Sequence, residues 1–377
     1  MRKLVFFILL AAVATPTFAV GPSAVAAPDR SLWPDPIDNA ASFDRASRAE
    51  ILTFGHELAA SESLDQAQLL DLLKVKEVDR VSVDAIRAKY WSRLASGYAL
   101  ASAHCAPAEP FCPAAKDEAA FRAAAIAFKG PADNRYDAWY ANATAFHHVY
   151  LDELLRLAAL FPRISSEVDT FSAAELSGNE PADRHFLLTF DDGPTRAGGN
   201  TDKTLDMLSQ NHLKATFFML GGNLEARLKQ TPTASLAQAY AGVCVAAHGW
   251  EHKSHSAWPE WQDSVTHTSA LVKDTFPSSY VPLFRPPYGQ RKSDSATFFA
   301  EQHITVALWN IDSQDWNNKV DADQVKQRVL ALMLLWRHGV ILFHDIHAKA
   351  QVAVPWIIQQ SRTSGITWMD CRGWTGP

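Results

Sequence analysis

The chain has 377 residues, 47% hydrophobic and 20% charged, which suits one large globular domain or two ordinary ones and excludes a disordered or collagen-like chain. Its 35 basic and 41 acidic side chains leave a net charge of −6. That sign argues against nucleic acid as a partner, because phosphates need a local excess of Lys and Arg.

In chain order, Met1-Arg2-Lys3, an apolar run from Leu4 to Ala14, and small residues ending Ala24-Val25-Ala26-Ala27 predict a secretory signal peptide over residues 1–27, cleaved near Ala19 or Ala27. Nothing else approaches the ~20 apolar residues of a membrane span. An exported protein is therefore expected, periplasmic or secreted, with no membrane span after cleavage. Residues 28–180 read as a helical N-terminal region, since apolar residues recur every three or four positions from Ser42 to Phe161. Ser63-x-x-Gln66 predicts a capping box opening a helix from Leu64 to Val75, and Phe146, Tyr150, Leu154, Ala158 and Phe161 form another helical stripe. Trp139, His147 and His148 belong to this pattern and are expected to pack a helical core rather than line a site. The breaker cluster Ser177-Gly178-Asn179-Glu180-Pro181 predicts a boundary, with a second domain over 181–377.

That second part alternates short β-rich runs with helical ones. Strands are predicted at Phe186 to Phe190, Ala215 to Leu220, Val243 to Ala247, Pro282 to Phe284, Thr305 to Ile311, Val340 to Phe343 and Ile366 to Met369. Helices are predicted at Thr201 to Gln210, Ser264 to Phe276, Ser293 to Gln302, Ala322 to His338 and Val352 to Arg362. The alternation implies a mainly parallel sheet or barrel of the α/β class. Cys105, Cys112, Cys244 and Cys371 are an even number without zinc-ribbon spacing. In an oxidising compartment they predict the disulfides Cys105–Cys112, closing a short Pro-rich loop, and Cys244–Cys371. An ordinary buried thiol at Cys244 is the open alternative.

Catalytic groups of α/β barrels come from the C-terminal ends of strands. Five polar clusters fall there: Asp191-Asp192-Gly193-Pro194, His248-Gly249-Trp250-Glu251-His252, Arg285-Pro286-Pro287-Tyr288-Gly289, Asp312-Ser313-Gln314-Asp315-Trp316 and His344-Asp345. His248 and His252, four apart, would share one side of a helical turn as metal ligands. Asp191 and Asp192 point different ways, so one can bind metal while the other stays free as a base. His255 competes as a partner for His252, but no strand aims it and it is expected at the surface. Arg285, stiffened by two prolines, would hold the metal-free carboxylate ionised through a bidentate pair. His344 would serve as general acid with Asp315 orienting it. Trp316 and Leu342 suit a small acyl pocket or core.

These clusters resemble the five motifs of carbohydrate esterase family 4, the NodB-homology polysaccharide deacetylases. Thr189-Phe190-Asp191-Asp192-Gly193-Pro194 matches the first, Lys214-Ala215-Thr216-Phe217-Phe218 is a further family segment, and the rest follow as quoted, the last as Leu342-Phe343-His344-Asp345. The resemblance covers about 184–370. It implies a distorted, incompletely closed (β/α) barrel, with Asp191 as base and Asp192, His248 and His252 as ligands of a divalent metal, zinc first and cobalt, nickel or manganese also compatible. It further implies Arg285 tethering Asp191, the Tyr288 backbone N–H at the oxyanion, His344 as acid supported by Asp315, and Trp316 and Leu342 lining the acetyl pocket. Gly249 stands where the family has a Ser or Thr, so a hydroxyl that braces the metal loop is missing.

The implied partner is an acetylated polysaccharide, peptidoglycan or another N-acetylglucosamine polymer, with chitin fragments and acetylated xylan as alternatives. Trp258 and Trp261 are candidates for sugar stacking. A silent saccharide-binding module would be expected to lack Asp191 or His344, and a zinc peptidase would want a Glu where Gly249 stands.

Overall fold

The computed structural model describes residues 24–375. Most of the predicted leader lies outside the described residues. Its last residues are described, and Ala26 is buried, its N–H donating to Glu153 and its carbonyl accepting from Arg328.

Five helices come first: α1 (Ala40–Ser61), α2 (Gln66–Leu73), α3 (Arg80–Ser102), α4 (Glu118–Ala127) and α5 (Asp137–Leu160). The capping box of α2 is two residues later than expected. Asp65 accepts from Gln68 N–H and the Gln68 side chain accepts from Asp65 N–H, while the Ser63 hydroxyl donates back to the Ala60 carbonyl at the end of α1. His147 is buried against Glu50, which also pairs with Arg30, and exposed His148 meets Glu57. His147 belongs to the packed helical core, as expected, whereas His148 lies at the surface of α5 and not in that core.

The remaining elements are β1 (His185–Asp191), α6 (Asn200–Gln210), β2 (Ala215–Met219), α7 (Gly221–Leu228), α8 (Thr233–Ala239), β3 (Cys244–Ala247), α9 (Trp261–Thr275), β4 (Tyr280–Phe284), α10 (Ala296–Glu301), β5 (Thr305–Val306), β6 (Ile311–Asp312), α11 (Ala322–Trp336), β7 (Gly339–His344), α12 (Lys349–Ser361) and β8 (Thr367–Trp368). All strand pairs are parallel, in the order β5-β4-β3-β2-β1-β7-β6, with β8 beside the start of β1. The sheet curls into a barrel left open between β5 and β6. This is the incompletely closed (β/α) barrel that the motifs imply.

The apolar run at 305–311 is two strands, not one. Asn310 interrupts it: its side chain accepts from Val340 N–H and donates to the His338 carbonyl and to Asn179, replacing ladder bonds with side-chain ones. Leu176 bridges Ala307 across the gap, its N–H donating to the Val306 carbonyl and its carbonyl accepting from Leu308 N–H.

Alternation along β1 separates two cores. Phe186, Leu188 and Phe190 pack outward in a cluster continuous with the N-terminal helices. Leu187 faces inward with Phe218, Trp309 and Leu342. Both expected disulfides are formed, and Cys244 and Cys371 lie at the inner cluster. No helix of the described residues is long and apolar enough to cross a membrane.

Candidate active site

Parallel register brings the predicted residues to one level. Asp191 stands opposite His344 across the β1–β7 pair and opposite Phe218 across β1–β2, and Ala247, just before His248, stands opposite Phe284, just before Arg285. Each polar side chain follows a buried strand that aims it at the same opening.

Asp192 has positive φ (79°), which turns its side chain away from that of Asp191. Its Oδ1 lies 3.3 Å from His248 Nε2 and 3.4 Å from His252 Nε2. Neighbouring ligands of a tetrahedral ion at ~2.1 Å are about 3.4 Å apart, so these atoms sit at the edge length of one coordination sphere. Asp192 Oδ1 is buried with no hydrogen-bond partner among the described residues. A cation would satisfy that oxygen, and the donor set fits a divalent ion.

The charge states agree. Burial alone would raise the Asp192 pKa, but the His248 imidazole and the His344 charge outweigh it and hold the carboxyl far below its usual range. Burial and the neighbouring His248 push His252 down to about 4 against the pull of Asp192, leaving a neutral imidazole able to ligate. His248 Nδ1 meets the Arg285 carbonyl at 2.7 Å. A proton on Nδ1 donates there and leaves the Nε2 lone pair facing Asp192.

His248 and His252 are not on a helix; the 248–254 segment is a loop. The expected weakness at Gly249 is made good from elsewhere. The Ser264 hydroxyl, on the first turn of α9, accepts from Trp250 N–H at 2.7 Å and lies 3.0 Å from His255 Nε2. Gly249 has φ of +90° and would place a Cβ 2.6 Å from the His255 ring, so the close approach needs glycine. His255 is thus buried, contrary to the surface position expected, because its ring fills the inside of the loop and its Nδ1 meets the Lys253 carbonyl. It braces the loop and stands outside the group formed by Asp192, His248 and His252.

Asp191 is buried and accepts one bond from Arg285 Nη1 at 2.9 Å; its Oδ2 is 3.8 Å from His248 Nε2. The pairing is single, not bidentate as expected. The other donors of fully buried Arg285 go to the Thr189 hydroxyl and to the carbonyls of Ala307 and Leu308, which the strand break between β5 and β6 exposes. One carboxylate oxygen is therefore held and the other left free.

Opposite stands His344. Asp315 accepts from its backbone N–H at 2.9 Å through Oδ2 and meets its Nδ1 at 2.7 Å through Oδ1. Burial alone would lower the imidazole pKa, but Asp315, then Asp192 and Asp191, raise it to about 10. Tyr288 is half exposed with φ of 60°, its ring set edge-on to His252 at 4.4 Å. Leu342 lines the inner face of the barrel beneath, and Trp316 is half-buried beside Asp315. Of the proposed stacking residues, Trp261 is core against Phe298 and Phe299, and Trp258 is partly buried under Lys253.

Two residues at the site have no role assigned from the sequence, although Asp345 stands in the last motif. Asp345 is fully buried, accepts from Gly193 N–H and from the Thr201 hydroxyl, and is raised to about 7 by burial and by Asp192. A Cβ at Gly193 would overlap its carboxylate at 2.0 Å. Its place directly after His344 was the available signal. Asn223 donates to the Asp192 carbonyl at 2.7 Å from α7, with no motif to mark it.

The polysaccharide deacetylase family profile matches residues 178–307. A peptidoglycan-N-acetylglucosamine deacetylase of Bacillus cereus is 32% identical over 185 residues, 47% of this chain and 63% of that protein. The chain thus spans less than two thirds of that relative. A second protein of the same name and organism is 30% identical over 224 residues, 57% of this chain and 77% of that one. In structure the chain is similar to a family 4 carbohydrate esterase from Streptomyces lividans in complex with acetate, with a TM-score of 0.43 and 30% identity over 52% of this chain and 97% of that one.

Proposed function

We propose that this chain, which belongs to the polysaccharide deacetylase family, is an exported, metal-dependent hydrolase that removes N-acetyl groups from a β-linked N-acetylglucosamine polymer, peptidoglycan foremost. One observation carries the reading: Asp192, His248 and His252 gather at the spacing of a single ion, with a tethered carboxylate on one side and a carboxylate-held imidazole on the other. The names of the two Bacillus cereus relatives support the choice of polymer.

An amide is a poor electrophile with a poor leaving group, so its hydrolysis needs an activated water, a stabilised oxyanion and a proton for the departing amine. Asp192, His248 and His252 would hold a divalent ion, zinc by its preference for imidazole and carboxylate, which would supply Lewis acidity and bring the pKa of a water toward ~7. The remaining work belongs to the chain. Asp191 keeps Oδ1 on Arg285 and takes the water's proton on Oδ2. The Tyr288 N–H donates to the developing oxyanion. His344 delivers its proton to the leaving nitrogen while Asp315 steadies the ring through Nδ1. Acetate and a free amine leave. Leu342 and Trp316 wall the space for a methyl group.

Cleavage of the leader after Ala19 rather than Ala27 would retain Ala26 and its bonds to Glu153 and Arg328. N-terminal sequencing of the exported protein is expected to begin at Val20. The activity is tested by acetate release from peptidoglycan and chitooligosaccharides, set beside peptide cleavage, using protein carrying one equivalent of divalent metal. Release that a chelator abolishes and metal restores is the expected result. Binding of these polymers without release would sink the catalytic reading.

A further inference from the structure

A cavity of 590 Å³ adjoins the catalytic centre. Its walls are the 194–203 segment, which includes the first turn of α6, the Asn223 to Arg227 face of α7 with Gln230 just past its end, and Ile346. Two features tie it to the chemistry. Asn223 holds the Asp192 carbonyl, and Ile346, two residues past His344, accepts from the Asn200 side chain at 2.8 Å.

The charge of the cavity opposes that of the chain. The protein carries a net −6, yet Arg196, Lys203 and Arg227 line the cavity and no Asp or Glu does. Arg227 is committed: its Nη2 meets both carboxylate oxygens of Asp202 at 2.8 and 2.9 Å, and its Nη1 donates to the Thr195 carbonyl. Asp202 also accepts from Gly198 N–H, so this one carboxylate is spent on fixing the turn. Arg196 and Lys203 are exposed and form no ion pair among the described residues. Two cations facing one hollow beside a catalytic centre, without a carboxylate, make a field that draws anions and disfavours a cationic neighbour.

We infer that this cavity is an anion-recognising extension of the substrate cleft, with Arg196 and Lys203 as its specificity residues, and that the substrate is a glycan bearing carboxylates beside the N-acetylated sugar. The inference rests on the deacetylase reading of the adjacent centre. Peptidoglycan strands meet the requirement, since lactyl or peptide carboxylates stand on alternate sugars. Chitin and neutral xylan do not.

The test uses the full, metal-loaded protein and one polymer in two forms: peptidoglycan glycan strands with native carboxylates, and the same strands after those carboxylates are amidated. Wild-type kcat/KM is expected to be about tenfold higher on the native form at low salt, with the preference shrinking as ionic strength rises. In Arg196→Gln/Lys203→Gln the ratio of the two rates should fall toward one. Because both rates come from one enzyme, a general loss of activity cancels. Equal wild-type rates on the two forms, or an undiminished ratio in the double variant, would overturn the inference while leaving deacetylation standing. Affinity electrophoresis in the same polymers separates the opposite case. Salt-sensitive preference for the native form that depends on both cations, without acetate release, keeps the cavity assignment and removes the deacetylase reading.

Discussion

His344 and Asp315 form a pair with distinct duties. The carboxylate takes both the backbone N–H and Nδ1 of the histidine, so rotation of the ring is blocked and its other nitrogen is left to the substrate. His344→Asn should keep fold and metal, because the ligands proposed are Asp192, His248 and His252, and should lose turnover by about 10³ since the amine must depart unprotonated. Metal loss in that variant would instead make His344 a ligand. Asp315→Asn removes the main support of a pKa raised to about 10, so the imidazole sheds its proton at lower pH and the alkaline limb of the rate profile moves toward acid. An unmoved limb would detach Asp315 from this role. Ser264→Ala leaves every ligand in place yet frees Trp250 N–H and His255, and metal affinity should drop about tenfold, as for other supports of metal ligands. Equilibrium dialysis against a competing chelator measures it. The residues proposed as ligands, base and acid stand out in the sequence because they cluster in tight motifs at the ends of β1, β3 and β7. Ser264 does not, since it lies 16 residues beyond His248 on a helix and reaches the loop only through tertiary packing. His255 was misjudged for the same reason: position after a strand says where a side chain starts, not whether a glycine lets the loop close over it.

At the level of elements, the buried strands and their successors were readable from apolar runs and breaker residues, and the parallel register does the aiming. The exception at 305–311 is instructive. Asn310, a residue poorly suited to a strand, was the one mark of a break in that run, but its bonds to Val340, His338 and Asn179, all distant in sequence, were not readable from it. The break has a use: the carbonyls of Ala307 and Leu308 turn inward and hold the Arg285 guanidinium. The disulfides act on elements too. Cys105–Cys112 closes a short loop between α3 and α4, whereas Cys244–Cys371 ties the start of β3, the strand that carries the metal loop, to the C-terminal segment. Loop-closure entropy puts their worth at about 2.5 and about 5 kcal/mol. Denaturant unfolding should therefore show Cys244→Ser/Cys371→Ser losing roughly twice the stability of Cys105→Ser/Cys112→Ser. The reverse order would mean that native-state packing, not chain entropy, sets their contributions.

Across the whole molecule, the N-terminal helices are bound into the same core as the barrel, and α11 is the seam. Trp336 packs among Phe54, Tyr90 and Tyr150, donates its indole N–H to the Tyr150 hydroxyl, and lies under the Arg93 guanidinium at 4.1 Å. Arg328 is buried with Glu153 of α5 and also donates to the Asp312 carbonyl at the edge of the site and to Ala26. Arg337, just past α11, joins Asp44 of α1 to Asp183. Stranding a buried charge costs about 3–5 kcal/mol, and uncovering each large apolar side chain about 1.5–3 kcal/mol more. Together these match the ~5–15 kcal/mol that holds a domain folded. A chain beginning at Ser177 is therefore expected to be insoluble or to unfold without cooperativity, although it keeps every motif of the site. A second variant isolates the cause: Trp336→Ala in the full chain should lose about 3–5 kcal/mol in denaturant unfolding yet retain metal content and acetate release per folded molecule. A shortened chain that folds cooperatively and turns over at the full rate would show that the helical region is an accessory resting on a self-sufficient barrel, and would leave the burial of Arg328 and Trp336 without the structural role assigned to it.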